Sequence, residues 1–199
     1  MSEFYVYAPI SGQVNSRWVS TGTCTSGSDY CEGTCHPAPW GTRPMDIGAY
    51  PGSEISFWSS PTIGGWSYPV LSIVVTKLAS GACLNSSIPA PWKQGMKVEM
   101  RSGYNGAGAL LGTLYYAHVN NPAEGAHDTI NGGVTYIGYV PDSCPPCEFC
   151  QPDCICTQCQ CYKGGHIHFE RSGNSVHNDS ISCSDSMIEG ASWVYKYTY

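Results

Sequence analysis

The stretch that decides the fold is Gly164-Gly165-His166-Ile167-His168-Phe169-Glu170, in which a glycine pair is followed by alternating polar and apolar residues. Alternation with a period of two is typical of a β-strand, because successive side chains point to opposite faces. His166 and His168 therefore fall on one face, where two imidazoles can share a metal ion or a water molecule. That arrangement suits zinc, and a pair of surface histidines is the alternative interpretation of an isolated H-x-H motif.

The rest of the chain carries the same signature of short strands. Gly, Pro, Ser and Asn interrupt it at intervals of about 8 to 12 residues, and helical periodicity is hard to find. The segments between these interruptions are rich in Val, Ile, Tyr and Trp, as strands prefer, so we expect an all-β protein. The predicted strands are Phe4–Ala8, Glu54–Trp58, Val70–Lys77, Lys97–Arg101, Leu110–His118, Val134–Val140, His166–Glu170 and Trp193–Tyr199.

The composition favours one globular domain. Of 199 residues, 42% are hydrophobic and 12% aromatic, which is too apolar for an intrinsically disordered chain. We expect a single domain over residues 1–199, with a cysteine-rich insertion at 141–165. Lys and Arg number 9 against 15 Asp and Glu, and the net charge of −6 argues against nucleic-acid binding. No apolar run approaches the roughly 20 residues of a membrane helix, so no membrane span is expected.

The twelve cysteines indicate an oxidising, extracellular location. Seven of them lie between Cys144 and Cys161 in C-x-x-C spacings that could bind zinc or an iron-sulfur cluster. Disulfides are the favoured interpretation, because five further cysteines lie elsewhere and seven need an outside partner, for which Cys183 is a candidate. The triplets at Asn85 and Asn178 are compatible with N-glycosylation.

Two further motifs contain residue types that bind or flank zinc. Asp46 lies in a loop that also contains His36, and a carboxylate and an imidazole from one loop can complete a His/Asp/His zinc site with a fourth position for water. His118 ends the apolar segment Tyr115-Tyr116-Ala117-His118, although a lone histidine on a strand is more often structural. His127 and His177 lie among turn formers and are expected at the surface. A surface that stacks on glycans or peptides could be formed by Trp40, Trp58, Trp66, Trp92 and the many tyrosines, but we expect most of these residues in the core.

Taken together and in this order, the motifs resemble the lysostaphin/LytM-type zinc metallopeptidases, the M23 family, which cleave peptide bonds in bacterial cell-wall peptidoglycan. Tyr7-Ala-Pro-Ile-Ser-Gly-Gln-Val is similar to the opening strand of the family, and Asp46-Ile-Gly-Ala-Tyr-Pro-Gly-Ser-Glu-Ile to its DIGAPxGTPV segment. Tyr116-Ala-His118-Val resembles its YAHL strand. Tyr136-Ile-Gly-Tyr-Val and Gly165-His-Ile-His-Phe-Glu170 resemble its G(Y)V and GPHLHFE ending. The resemblance covers most of the chain and implies a LytM-like antiparallel β-sheet domain with long loops.

The resemblance also implies roles for individual residues. Asp46 and His168 would bind Zn2+, His166 would act as the general base, and His118 would stabilise or protonate the tetrahedral intermediate. Zinc would acidify a water molecule and polarise the scissile carbonyl. The implied function is a secreted zinc-dependent endopeptidase that cleaves peptidoglycan peptides or another glycine-rich peptide. The insertion at 141–165 would lie beside the substrate groove, where it could set specificity, cover the cleft or dock a partner.

One position departs from the family pattern. The first histidine ligand of the family lies four residues before the aspartate, and Thr42 occupies that position here. His36, ten residues before Asp46 and next to Cys35, is the candidate replacement in a longer loop. If His36 reaches the metal, the site has three protein ligands. If it does not, the site has two and is expected to be inactive, because the number of ligands decides metal binding.

The alternative function is a catalytically inactive M23-like domain that serves as an extracellular structural, self-assembling or adhesive subunit. Its basis is the low charge, the abundant Tyr and Gly, the cysteine cross-links and the apolar C-terminal strand at 193–199. That strand could pair with the sheet edge of a neighbouring copy and build a homopolymer, or it could close the domain's own sheet.

Overall fold

Fifteen β-strands and no helix are found in the part of the chain that the structure describes. The structure, a computed structural model, describes residues 1–17, 27–30, 35–37, 42–78, 94–141, 166–178, 180–181, 187–188 and 192–199, with the backbone alone at 12–17, 27–30, 35–37, 42–44, 166, 177 and 187–188. The strands are β1 (Glu3–Tyr7), β2 (Gly12–Arg17), β3 (Gly27–Tyr30), β4 (Cys35–Pro37), β5 (Thr42–Gly48), β6 (Glu54–Trp58), β7 (Ser72–Leu78), β8 (Gly95–Arg101), β9 (Leu110–Ala117), β10 (Gly125–Asp128), β11 (Gly133–Tyr139), β12 (His166–Ser172), β13 (Ser175–His177), β14 (Met187–Ile188) and β15 (Trp193–Thr198).

The strands form three sheets in which every pair of neighbours is antiparallel. The main sheet has ten strands, in the order β10-β7-β8-β9-β12-β5-β2-β3-β4, with β14 added beside β2. A second sheet has the order β1-β15-β13, and β6 pairs with β11 in a third. The expectation of an antiparallel all-β protein is therefore confirmed. Among the described residues, no helix has the length and apolar character needed to cross a membrane.

Alternation along the strands separates a core face from a polar face in the main sheet. On β5 and β12, the side chains of Met45, Ile47, Ile167 and Phe169 are fully buried in the hydrophobic core. The residues between them carry acidic and imidazole groups and lie on the opposite face. The pattern that predicts a strand at residues 166–170 thus also decides which residues of that strand enter the core.

The C-terminal strand joins the second sheet to the main sheet. The Tyr195 ring lies 5.1 Å from the Phe169 ring, measured between centroids, and the Tyr195 hydroxyl donates a hydrogen bond to the Phe169 carbonyl. The Tyr197 hydroxyl donates to the carbonyl of Thr113 at 3.1 Å. Because β15 has β1 on one side and β13 on the other, both of its edges are occupied within the chain. Of the two fates predicted for this segment, closing the domain's own sheet is the one observed.

All eight predicted strands are present, with boundaries that differ by two residues at most. The strand β5, which carries Asp46, was not predicted, because Pro44 has no N–H group to donate and normally excludes a strand interior. The register shows how the proline is accommodated: Met45 pairs with Phe169 but Thr42 pairs with Arg171, so β5 has one extra residue there. A β-bulge of this kind tolerates a proline.

Three expectations about single side chains need correction or qualification. Trp66 is 97% exposed and Trp58 36% exposed, so these two tryptophans are not core residues. His127 lies in β10 rather than in a turn, is half-buried, and its Nε2 is 2.7 Å from the carbonyl oxygen of Ala123. Trp40, Trp92, the side chain of His177 and, except for its first residue, the insertion predicted at 141–165 lie outside the described residues.

The Asn178 triplet forms a structural turn. The side chain of Asn178 is buried, and its Nδ2 donates a hydrogen bond to the Trp193 carbonyl at 2.8 Å. Its Oδ1 accepts hydrogen bonds from both the backbone N–H and the hydroxyl of Ser180. The nitrogen to which a glycan would be attached is therefore engaged in holding β13 to β15. Asn85 lies outside the described residues.

Candidate metal centre

Strand register brings Asp46 and His168 together. Asp46 on β5 is directly opposite His168 on β12, and His168 Nδ1 lies 2.9 Å from Asp46 Oδ1. Both side chains are buried, with exposures of 0% and 2%. The two residues are 122 positions apart in the sequence, so only the antiparallel pairing of β5 with β12 makes this contact.

Glu170 contacts the other nitrogen of the same imidazole. It lies two residues after His168 on β12 and therefore on the same face, and its Oε1 is 2.6 Å from His168 Nε2. Its side chain is also fully buried. The His168 ring thus spans two buried carboxylates, one at each nitrogen.

A neutral imidazole carries one N–H and can donate to only one of the two carboxylates. Where Nε2–H donates to Glu170, Nδ1 and Asp46 Oδ1 are two acceptors 2.9 Å apart, and a proton or a metal ion must lie between them. Where Nδ1–H donates to Asp46, the same holds for Nε2 and Glu170. Without a metal, the group between them is a proton. Burial acts to lower the pKa of His168, but the hydrogen bonds to Asp46 and Glu170 outweigh it and raise that pKa to about 9.

The pair fits zinc in ligand type and in spacing. Imidazole nitrogen and carboxylate oxygen are common zinc ligands at about 2.0 to 2.2 Å, which places two ligands of a tetrahedral site roughly 3.3 Å apart. The observed separation of 2.9 Å needs only a small outward shift to meet this value. The contact with Glu170 supplies the carboxylate that commonly orients a ligand histidine and fixes its tautomer.

Among the described residues, no three side chains of His, Cys, Asp or Glu are grouped so as to hold one metal ion. The reason is geometric, since Asp46 and Glu170 contact opposite ends of the His168 ring and cannot share an ion. A third protein ligand would have to come from residues whose side chains lie outside the description.

His118 follows directly after the residue that pairs with His168. That residue, Ala117, ends β9, and the His118 backbone then adopts a left-handed conformation with φ of 61°. Residues other than glycine occupy this region only a few per cent of the time, although histidine is among those enriched there. The half-buried His118 therefore lies in a bend directly after β9, one residue beyond the strand partner of His168, rather than at the strand end that the sequence predicted.

The backbone alone places His166, His36 and Thr42. His166 begins β12 opposite Gly48, two residues from His168. His36 lies in β4 at an edge of the main sheet, where it pairs with Ser28, and strands β3 and β2 separate it from β5 in the sheet order. Strands are spaced about 4.8 Å apart, so the strand order alone leaves roughly 14 Å between the backbones of His36 and Asp46. Thr42 begins β5 opposite Arg171.

Glu170 is the site residue that the prediction missed. Its signal was the H-x-E spacing of His168 and Glu170, because residues two apart in a strand share a face and a carboxylate can then reach the imidazole.

No protein-family model, no curated protein and no solved structure matches the chain. The functional interpretation therefore rests on the sequence motifs and on the geometry of the site.

Proposed function

We propose that the protein is a secreted zinc-dependent endopeptidase of the lysostaphin/LytM type that cleaves peptidoglycan peptides or other glycine-rich peptides. The observation that carries the proposal is the contact of His168 with Asp46 at one nitrogen and with Glu170 at the other. This is the ligand pair that the sequence motifs imply, joined by the orienting carboxylate that a zinc-bound histidine needs. The order of the motifs along the chain is the second support.

The chain's own residues have distinct tasks under this proposal. Asp46 and His168 would hold the metal, and Glu170 would keep a proton on Nε2 so that Nδ1 faces the metal. His36 is the third ligand that the sequence offers, and it would bind only if β4 came closer to β5 than the strand order places it. Bound zinc would supply Lewis-acid chemistry for peptide hydrolysis. His166 would accept a proton from the attacking water. His118 would donate to the developing oxyanion from its turn beside Ala117.

The experiment that tests the proposal combines native mass spectrometry with a hydrolysis assay. Purified protein is incubated with zinc, and its mass is measured under native and denaturing conditions. Peptide hydrolysis is then followed with peptidoglycan and with pentaglycine as substrates. We expect one zinc per chain and release of new amino termini, with zinc lost in Asp46→Asn and His36→Ala. Cleavage should be lost, with the fold retained, in His166→Ala and His118→Ala. The matched control is His127→Ala, a histidine at the far edge of the main sheet.

A specific observation favours a second candidate function. The side chains of Asp46 and His168 are almost completely shielded from solvent, whereas a hydrolytic metal needs an open position for water and substrate. On this basis the alternative is a catalytically inactive M23-like domain that acts as an extracellular structural, self-assembling or adhesive subunit. If neither zinc binding nor cleavage is detected in wild-type protein with zinc in the buffer, the endopeptidase is rejected and this alternative is retained.

A further inference from the structure

A cluster of two tyrosines and one glutamate lies on the paired strands β6 and β11. We call it the tyrosine rim and define it as Tyr136, Tyr139 and Glu54. The two rings are 4.7 Å apart between centroids and tilted by 43° to one another. Glu54 is the direct antiparallel partner of Tyr139, so their α-carbons are about 4.5 to 5.5 Å apart.

The tyrosine rim is preorganised. The Tyr136 hydroxyl donates a hydrogen bond to the Asn121 carbonyl at 2.9 Å, and the backbone of Tyr139 exchanges two hydrogen bonds with Asn120. The pKa of Tyr136 is raised by partial burial, then by Tyr139 and by Glu54, which places the carboxylate within electrostatic range of that ring. Both tyrosines are half-buried and Glu54 is exposed, so the aromatic groups and the carboxylate remain accessible.

Among the described residues, no cationic side chain is paired with the carboxylate of the tyrosine rim. No lysine or arginine occurs at positions 45–76 or 102–141, the two stretches that contain its residues and their neighbours. Among the described residues, the salt bridges are formed by other groups, and none involves Glu54. A carboxylate beside two tyrosine rings attracts an organic cation, because the carboxylate can form an ion pair with it and the faces of the rings are electron-rich.

Short stretches of chain connect the tyrosine rim to the candidate metal centre. From Ala117, the partner of His168, only four residues lead to Asn121, a span of at most about 14 Å. From Asp46 the chain leaves β5 through the turn Tyr50–Ser53, in which Gly52 donates to the Val140 carbonyl next to Tyr139. An extended peptide of about four residues covers the same distance.

We infer that the tyrosine rim is a subsite for a primary ammonium group, such as a lysine side chain, on a peptide bound at the candidate metal centre. The inference rests on the proposed function for the part that concerns the peptide substrate. The affinity for the ammonium group itself depends only on Tyr136, Tyr139 and Glu54, and it can be measured without metal or catalysis.

The test uses two pentapeptides that differ in one group. Acetyl-Gly-Gly-Lys-Gly-Gly-amide and its norleucine counterpart are titrated into zinc-free protein by calorimetry and by NMR. We expect the lysine peptide to bind about tenfold more tightly and to shift the ring signals of Tyr136 and Tyr139. Glu54→Gln should remove this preference without weakening the norleucine peptide, and Tyr139→Leu should also remove it. The matched control is Glu124→Gln, which changes the net charge equally at another exposed carboxylate.

Each outcome decides the inference. Equal affinity for the two peptides, no binding of either, or the same loss in Glu124→Gln as in Glu54→Gln would overturn it. Zinc binding is measured on the same samples, so the two proposals fail separately. A lysine preference without zinc binding supports the subsite and rejects the peptidase. Zinc binding and cleavage without a lysine preference reject the subsite alone.

Discussion

At the scale of single residues, Glu170 controls how the His168 imidazole can be used. Its buried carboxylate lies 2.6 Å from Nε2, so an Nε2–H can donate to it and leave Nδ1 for a cation. We predict that Glu170→Gln, which keeps the volume and removes the charge, weakens zinc binding about tenfold or more, because loss of such an orienting partner commonly costs 10 to 100-fold in affinity. Competition with a zinc chelator measures the change.

The control for this substitution is Glu99→Gln. Glu99 lies on β8 between Lys97 and Arg101, which form salt bridges with it and lower its pKa. Because none of these groups contacts His168 in the structure, zinc affinity should be unchanged in this variant. Equal zinc affinity in wild type and Glu170→Gln would show that the Nε2 contact has no part in metal binding.

The same histidine predicts how stability varies with pH in metal-free protein. Its pKa is about 9 in the folded chain and about 6.5 in an unfolded one. A group with the higher pKa in the folded state contributes fully below its unfolded pKa, and that contribution is lost as the pH rises through its folded pKa. We therefore expect the urea midpoint, measured with a chelator present, to fall between about pH 6.5 and about pH 9.5.

His168→Gln isolates this effect, because glutamine does not titrate in that range. The variant should be less stable at pH 6.5 and should show a flatter pH profile than the wild type. A wild-type midpoint that is constant or rises across the window would contradict the contact of His168 with two ionised carboxylates.

Sequence reasoning identified residues of the site but not how their side chains are arranged relative to one another. Asp46 and His168 were identified from motif and spacing, whereas their contact depends on the register of β5 against β12. That register includes the bulge near Pro44, which no local pattern predicts. His36 shows a different case, because the sequence offers it as a ligand from a long loop, whereas its backbone lies in a strand that β2 and β3 separate from β5.

At the scale of elements, the absence of a side chain at one position of β9 lets β15 pack against the main sheet. A β-carbon added at Gly112 would overlap the ring of Tyr197 and crowd the end of Met100. We predict that Gly112→Ala destabilises the protein by about 1 to 3 kcal/mol, the usual result of overfilling a packed core. Denaturant unfolding measures the loss.

Gly65→Ala is the comparison for this prediction. A β-carbon there would make only ordinary van der Waals contacts with Thr62, at 3.5 Å or more. The change in stability should stay within about 0.5 kcal/mol, as for most surface substitutions. If the two variants lost the same stability, the packing of Tyr197 on Gly112 would not be the cause.

The strands that were predicted and those that were missed differ in physical character. The eight predicted strands owe their detection to runs of β-branched and aromatic residues, a local property. Strand β10, with the sequence Gly-Ala-His-Asp, has no such run, and its strand conformation comes from hydrogen bonding to β7. Pairing of this kind is decided by distant parts of the chain.

At the scale of the whole molecule, β15 holds the layers together. It is the central strand of its sheet, and its tyrosines reach the β9 and β12 backbones. We predict that deletion of residues 193–199 prevents folding, which would be seen as loss of the cooperative unfolding transition by circular dichroism. Deletion of Tyr199 alone removes its two backbone hydrogen bonds with Ser2, the hydrogen bond between its hydroxyl and that of Thr62, and one ring contact with Phe4, so a folded protein of reduced stability is expected.

The predicted unfolding on deletion of residues 193–199 also changes how self-assembly would be tested. A loss of polymers on trimming residues 193–199 would follow from unfolding and would not identify an assembly surface. In the strand orders, the described strands with a single strand partner are β1, β4, β6, β10, β11, β13 and β14. A folded, monomeric protein lacking residues 193–199 would contradict the central role of β15.

The buried amide of Asn178 determines how the protein can be produced. In a secretory compartment that transfers oligosaccharides to Asn-X-Ser triplets, Asn178 is a potential acceptor. A sugar on Nδ2 would replace one of its two hydrogens and add a bulky group beside the buried hydrogen bond to Trp193, which would hinder the packing of β13 against β15. Chain that folds first is no longer a substrate. The bacterial periplasm oxidises cysteines without this competing modification. We therefore expect a larger fraction of the chains to fold when the protein is produced there.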